Sequence, residues 1–208
     1  EIIPLFREQY PGITIEITET SLPAFKKALT EGTLDVGLAS EVSTVPYGSL
    51  VQVLREEEVF LAISMFHPYA LTHPSGTPIT AEEVKTNFAD DSLLLSKKGA
   101  SLRMIGDQFF DSCGFEPVAV CETNNISATR SMVAQNAGVA FISESCSVNR
   151  NHIAYYPLSP AMKRLNLVVR QKDWVLNEPE QAFMDQILNY FKQNTEHPYL
   201  AEKYSISF

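Results

Sequence analysis

The chain has 208 residues, 45% of them apolar and 10% aromatic, enough for a sizeable hydrophobic core in one large domain or two small ones. Sixteen basic residues against 25 acidic ones leave a net charge of −9, which repels phosphate backbones and makes this piece by itself a poor DNA binder. No run of about 18 apolar residues marks a transmembrane helix, and the three cysteines, Cys113, Cys121 and Cys146, do not make a disulfide framework and fit reduced cytosolic thiols.

In chain order, Ile2, Ile3, Leu5 and Phe6 share one helical face, and Pro11-Gly12 ends that helix. Ile13, Ile15 and Ile17 alternate with Thr14, Glu16 and Thr18, the pattern of a half-buried strand. Thr20 or Ser21 can cap a second helix carrying Leu22, Phe25 and Leu29, closed by Gly32. Leu34 to Ala39 is short and apolar, as in a parallel sheet buried on both faces. Val51–Leu54 and Val59–Met65 predict two more strands. His67 to Pro78, with three prolines and a glycine, reads as a linker or crossing point.

A second α/β series follows. Thr80-Ala81-Glu82-Glu83 is a capping-box pattern that opens a short helix. Leu93–Leu95 predicts a strand, Ser101 to about Ser112 a helix, Val118–Cys121 a strand, and Ile126–Asn136 a helix ended by Gly138. Val139–Ser143 predicts another strand. Leu165–Val169 alternates like a strand returning elsewhere, and Glu178–Gln193 is an amphipathic helix with Phe183, Ile187 and Phe191 in register. Alternating helices and strands in two series predict an α/β fold of two lobes with a cleft between them.

Four segments carry a family resemblance. Ile3 to Ile13 is similar to the helix and F-x-x-x-Y-P turn of LysR-type transcriptional regulators, and Ala28 to Leu38 to their L-x-x-G-x-L-D-x-A-I signature. His67-Pro68-Tyr69-Ala70 resembles their H-P-L-A segment, and Met132 to Ala140 their M-V-A-A-G-x-G-I-A segment. The resemblance implies the family's effector-binding domain, with the type 2 periplasmic-binding-protein-like fold. Lobe I is then expected from residues 1–70 and 165–208 and lobe II from 71–164, joined by two crossing strands. It also implies a small-molecule effector, a homodimer or tetramer pairing head to tail, a cytoplasmic location, and DNA contact only through a winged helix-turn-helix domain outside this sequence. The strand and Ser/Thr-bearing loop that precede the first helix in the family are likewise expected to lie outside it.

Candidate ligand contacts sit where strands give way to helices, since helix starts carry unpaired N–H groups and partial positive charge. Thr20 and Ser21 precede the second helix; an ordinary N-cap is the plainer reading. Ser96, Lys97, Gly99 and Ser101 follow the Leu93 strand, with Ser101 able to cap and Lys97, Lys98 and Arg103 adding positive charge; solvated surface lysines are the alternative. Thr123, Asn124 and Asn125 occupy the equivalent turn before the next helix, where a simple Asn cap is the other reading. Ser40, Ser143 and Ser145 are further candidates. Together these favour a small anionic effector between the lobes.

Other chemistries find little in the residues. The full G-x-x-x-x-G-K-[ST] phosphate loop is missing, as are G-x-S-x-G and H-E-x-x-H. The four histidines are scattered, and Glu56-Glu57-Glu58 reads as a solvated acidic run. Cys146 with His152 lacks the second close pair that a zinc site needs. Ser101 stands where peroxide-sensing relatives carry a reactive cysteine. No enzyme activity, cofactor, metal or membrane partner is expected. An extracytoplasmic solute-binding protein of the same fold, serving a transporter, is the competing reading.

Overall fold

The computed structural model describes residues 2–43, 49–147, 152–171 and 174–193. They form α1 (Ile2–Gln9), α2 (Leu22–Glu31), β1 (Gly37–Glu41), β2 (Ser49–Ser64), α3 (Pro68–Thr72), β3 (Ile79–Thr80), α4 (Ala81–Asn87), β4 (Leu93–Leu95), α5 (Ser101–Asp111) and β5 (Ala119–Glu122). There follow α6 (Ile126–Ala134), β6 (Val139–Ser143), a 3-10 turn at Glu144–Cys146, β7 (Ile153–Ser159), β8 (Lys163–Gln171) and α7 (Glu178–Gln193). Two compact units result: one takes the described residues up to Arg55 and from Leu165 on, the other is Glu56–Arg164.

In the first unit β1 runs antiparallel to β8, from Gly37 opposite Val169 to Glu41 opposite Leu165. The two-residue period of β8 sends alternate side chains to opposite faces. Leu167 and Val169 pack with Phe25 and Leu29 of α2, while Val168 packs with Leu54 and with Met184 and Ile187 of α7. Gly32 ends α2 in the left-handed conformation at φ 68°, its N–H bonded back to the last turn. Phe6 of α1 meets Phe183 of α7 edge to face at 5.0 Å.

In the second unit the strand order is β2-β6-β4-β5. β4 is parallel to β5 and to β6, and β2 is antiparallel to β6 and β7. The helices that carry the chain between parallel strands cover both faces. Ala140 and Ile142 of β6 pack with Val133 of α6. Phe141, between them, turns to the other face and meets Phe109 and Phe110 of α5 at 5.8 and 5.1 Å. Thr80 caps α4 through the reciprocal bonds with Glu83 that its sequence predicts.

Several expectations are corrected. Ile13–Ile17 forms no strand and has no ladder partner among the described residues; Ile17 is 72% exposed. Alternation favours an extended chain, but a strand exists only when a neighbour completes its hydrogen bonds. Val51–Leu54 and Val59–Met65 belong to one continuous β2, and Leu34–Val36 lie before β1 rather than in it. The first crossing between units falls inside β2, between Arg55 and Glu56, rather than after residue 70. The Pro-rich His67–Pro78 segment lies within the second unit and contains α3. α6 ends at Ala134, before Asn136 takes a left-handed φ of 58°, so Gly138 is not its stop signal. β7, whose Ile153, Ala154, Tyr155 and Tyr156 are all buried, and the short β3 it pairs with were not expected.

Candidate functional site

β4, β5 and β6 run in one direction, so their carboxyl ends share one edge of the second unit. In open α/β sheets that edge presents turns and helix starts to a ligand. Here it carries the segments Ser96–Ala100, Thr123–Asn125 and Ser143–Ser147.

The first two segments are joined. The Lys97 backbone N–H donates to Asn124 Oδ1 at 3.0 Å, and the Thr123 N–H donates to the Leu95 carbonyl at 3.0 Å. Seven of the predicted residues therefore lie on neighbouring turns: Ser96, Lys97, Gly99, Ser101, Thr123, Asn124 and Asn125. Gly99 holds a φ of 86°, which lets the chain turn into α5. Ala100, not Ser101, is the N-cap of α5. Ser101 is instead the first helical residue; it is buried, and its hydroxyl has no hydrogen-bond partner among the described residues. Asn125 caps α6, its Oδ1 accepting from the Ala128 N–H at 3.0 Å. Thr123 Oγ1 accepts from the Asn125 N–H at 3.1 Å. These bonds occupy acceptors, so the Thr123 O–H and the amide N–H groups of Asn124 and Asn125 remain uncommitted donors.

The expected positive charge is smaller than the residue types suggest. Arg103 donates from Nε to both oxygens of Asp107 at 2.8 and 3.1 Å. Its Nη1 donates to Glu122 Oε1 at 2.6 Å and to the Ser96 carbonyl at 3.3 Å. Glu122 first, then Asp107, raises the pKa of the guanidinium above its ordinary value. Arg103 is thus a neutralised brace between α5 and the two turns. Lys97 and Lys98 are exposed. Beneath the brace a small pocket is lined by Leu94, Ser96, Leu102, Gly106 and Phe141.

The third segment is closed by the protein itself. Glu57, expected in a solvated acidic run, is 1% exposed. Its Oε1 accepts from Arg164 Nε at 2.6 Å and its Oε2 from the Ser145 N–H at 3.1 Å. Arg164 Nη2 in turn donates to Ser143 Oγ at 2.9 Å. Burial opposes the Glu57 charge, but attraction to Arg164 and hydrogen bonds from Ser145 outweigh it and hold its carboxyl below the usual range. Ser143 and Ser145 serve this pair. The sequence signal was present in Arg164, a cation at the boundary of a predicted strand, but nothing local linked it to Glu57.

In the first unit Ser21 is the N-cap of α2 with extended backbone (φ −75°, ψ 156°), but its side chain makes no capping bond. Thr20 and Ser21 are both exposed. Ser40 lies within β1 and donates to Asn166 Oδ1 at 2.8 Å. Both ring nitrogens of His67 are engaged, Nδ1 by the Tyr69 N–H at 3.1 Å and Nε2 by Asp91 at 3.2 Å. Among the described residues no group of three or more His, Cys, Asp and Glu could hold a metal, and no helix is long and apolar enough to cross a membrane.

A model of the LysR substrate binding domain matches residues 1–192. The chain belongs to the LysR substrate-binding domain family. This LysR-family domain is 23% identical over 195 residues to the uncharacterized HTH-type transcriptional regulator YybE of Bacillus subtilis, covering 93% of this chain and 63% of that protein. It therefore spans less than two thirds of that curated relative. Among solved structures, the CcmR regulatory domain of Synechocystis PCC6803 in complex with 2-PG superposes with a TM-score of 0.75 at 19% identity, over 92% of this chain and 89% of that one. The effector binding domain of QuiR in complex with shikimate gives 0.72 at 18%, over 92% and 89%. The LysR-family domain thus has the type 2 periplasmic-binding-protein-like fold that its sequence implied. The alternative of a transporter's solute receptor finds no support in these likenesses.

Proposed function

We propose that this domain is the ligand-sensing part of a LysR-type transcription regulator and binds a small anionic effector at the carboxyl edge of its second unit. The observation that carries the reading is the pair of helix starts, α5 and α6, whose turns are fastened by the Lys97–Asn124 bond and leave donors uncommitted. Ser101, the Thr123 hydroxyl and the Asn124 and Asn125 amides supply the hydrogen bonds, with Ser96, Lys97 and Gly99 shaping the loop. The α5 and α6 N-termini supply partial positive charge. Thr20 and Ser21, at the start of α2 in the first unit, are further ligand candidates, the Ser21 side chain making no capping bond. The complexes of CcmR with 2-PG and of QuiR with shikimate support a small acid as the class of effector.

The whole protein then reads DNA through a winged helix-turn-helix domain beyond this sequence, acts in the cytoplasm, and assembles as a homodimer or tetramer suited to paired half-sites. It performs no catalysis. Calorimetry with a panel of small carboxylates, shikimate and 2-PG included, tests the site. Binding is expected to weaken in Ser101→Ala and Thr123→Ala. Binders that neither substitution weakens would refute the assignment; binding of neutral or cationic compounds alone would refute the electrostatic argument.

A further inference from the structure

Glu56 and Arg164 are the first and last residues of the second unit, so the chain enters and leaves it side by side along β2 and β8. Two ion pairs join these strands at that point. Lys163 Nζ lies 2.6 Å from Glu56 Oε1, with both side chains about half exposed. Arg164 Nε lies 2.6 Å from Glu57 Oε1, and there the Glu57 side chain is 0% and the Arg164 side chain 14% exposed. The exposed pair contributes little; the buried one is fastened on every side. Its partners come from β6 and the turn after it, through Ser143 Oγ and the Ser145 N–H. Glu144 reaches back the other way, its Oε2 accepting from the Glu58 N–H at 3.3 Å. Val59, the next residue, pairs with Ser143 in the ladder and donates to the Met162 carbonyl at 2.9 Å.

The three segments on the carboxyl edge of this unit are therefore unlike. Those before α5 and α6 keep uncommitted donors. The one after β6 has its Ser145 N–H taken by a carboxylate of the protein itself, and Ser143 Oγ engaged by that carboxylate's partner, Arg164. We propose that Glu57 is a built-in anion that latches the two crossing strands to the end of β6, holding fixed the point at which the chain passes between units and closing the third segment to external anions. The latch belongs to the ligand-free chain, so it stands or falls independently of the effector reading.

A built-in anion can be replaced by an external one. Glu57→Ala removes the carboxylate and leaves Arg164 and the Ser145 N–H facing a space of small-carboxylate size. Thermal unfolding of this variant is expected to show a lower Tm than wild type. Acetate or propionate should raise that Tm in a saturable way, and by more than they raise the wild-type Tm, while equal concentrations of acetamide or sodium chloride do not. A folded Glu57→Ala protein whose carboxylate-specific rise does not exceed that of the wild type overturns the proposal. If Glu57→Ala does not fold, Glu57→Gln decides by hydrogen exchange, since it keeps the shape and an acceptor but loses the charge. Exchange should quicken at the Glu58, Val59 and Ser145 amides and stay unchanged through α5 and β5. Uniform quickening, or no change, overturns the latch.

Discussion

Gly106 is the position where one added methyl group tests the packing beneath the candidate site. It lies in α5, and a Cβ built there falls 2.8 and 2.9 Å from Cδ2 and Cε2 of Phe141. Both distances are too short, so the ring must move. Phe141 is itself held by Phe109 at 5.8 Å and Phe110 at 5.1 Å, both buried. In an exposed helix, Gly→Ala would stabilise by about 1 kcal/mol through propensity. Overpacking a filled core costs about 1–3 kcal/mol. Gly106→Ala is therefore expected to destabilise by up to about 2 kcal/mol, and for a chain of this size each kcal/mol lowers Tm by roughly 2–4 °C. Denaturant or thermal unfolding of Gly106→Ala, Phe141→Leu and the double variant forms a cycle. Trimming the ring should relieve the clash, so the double variant should be more stable than the sum of the singles by about 1–3 kcal/mol. Additive effects, or a Gly106→Ala protein about 1 kcal/mol more stable than wild type, would show that Phe141 yields freely and that the α5–β6 contact is not close-packed as described.

Three further outcomes follow from individual sites. Gly138 combines a φ of 155° with a Cβ position 2.5 Å from the Ser92 carbonyl oxygen, so Gly138→Ala should cost about 2–6 kcal/mol in denaturant unfolding, from backbone strain and overpacking together; a loss below 1 kcal/mol would contradict the geometry. Asn124→Ala removes the acceptor of the Lys97 N–H and should speed hydrogen exchange at that amide roughly 2- to 10-fold, the equivalent of about 0.5–1.5 kcal/mol, whereas Asn124→Asp should not. Because the folded Glu57 carboxyl is held below its ordinary pKa, its charge stabilises the fold fully above the unfolded value, about 4.3, and that stabilisation is lost as pH falls through the lower folded value. Wild-type Tm should accordingly drop more steeply below about pH 4 than that of Glu57→Gln, and parallel profiles would refute the assignment.

How much of this was legible in the sequence divides along physical lines. Where a local rule dominates, sequence and structure agree. The Thr80–Glu83 capping box sets the start of α4, Gly32 ends α2 in a left-handed turn, and α7 begins and ends where its apolar period does, at Glu178 and Gln193. Strand-to-helix turns are similarly local, so the Ser96–Ser101 and Thr123–Asn125 segments could be named from sequence and meet on one edge. What depended on distant partners was not readable. The alternation of Ile13, Ile15 and Ile17 signals a strand, but pairing requires a neighbour that no residue in the segment specifies. The charge of Arg103 reads as available until Glu122, at the end of a different strand, is seen to neutralise it. Glu57 lies between two other glutamates and reads as solvated, yet it is the buried one, because β8 brings Arg164 against it from 107 residues away. The sequence by itself determined the elements that local rules dominate and the family; the tertiary structure alone decided which extended segments pair and which charges are spent, since ladders, burial and ion pairing are set by contacts between residues far apart in the chain.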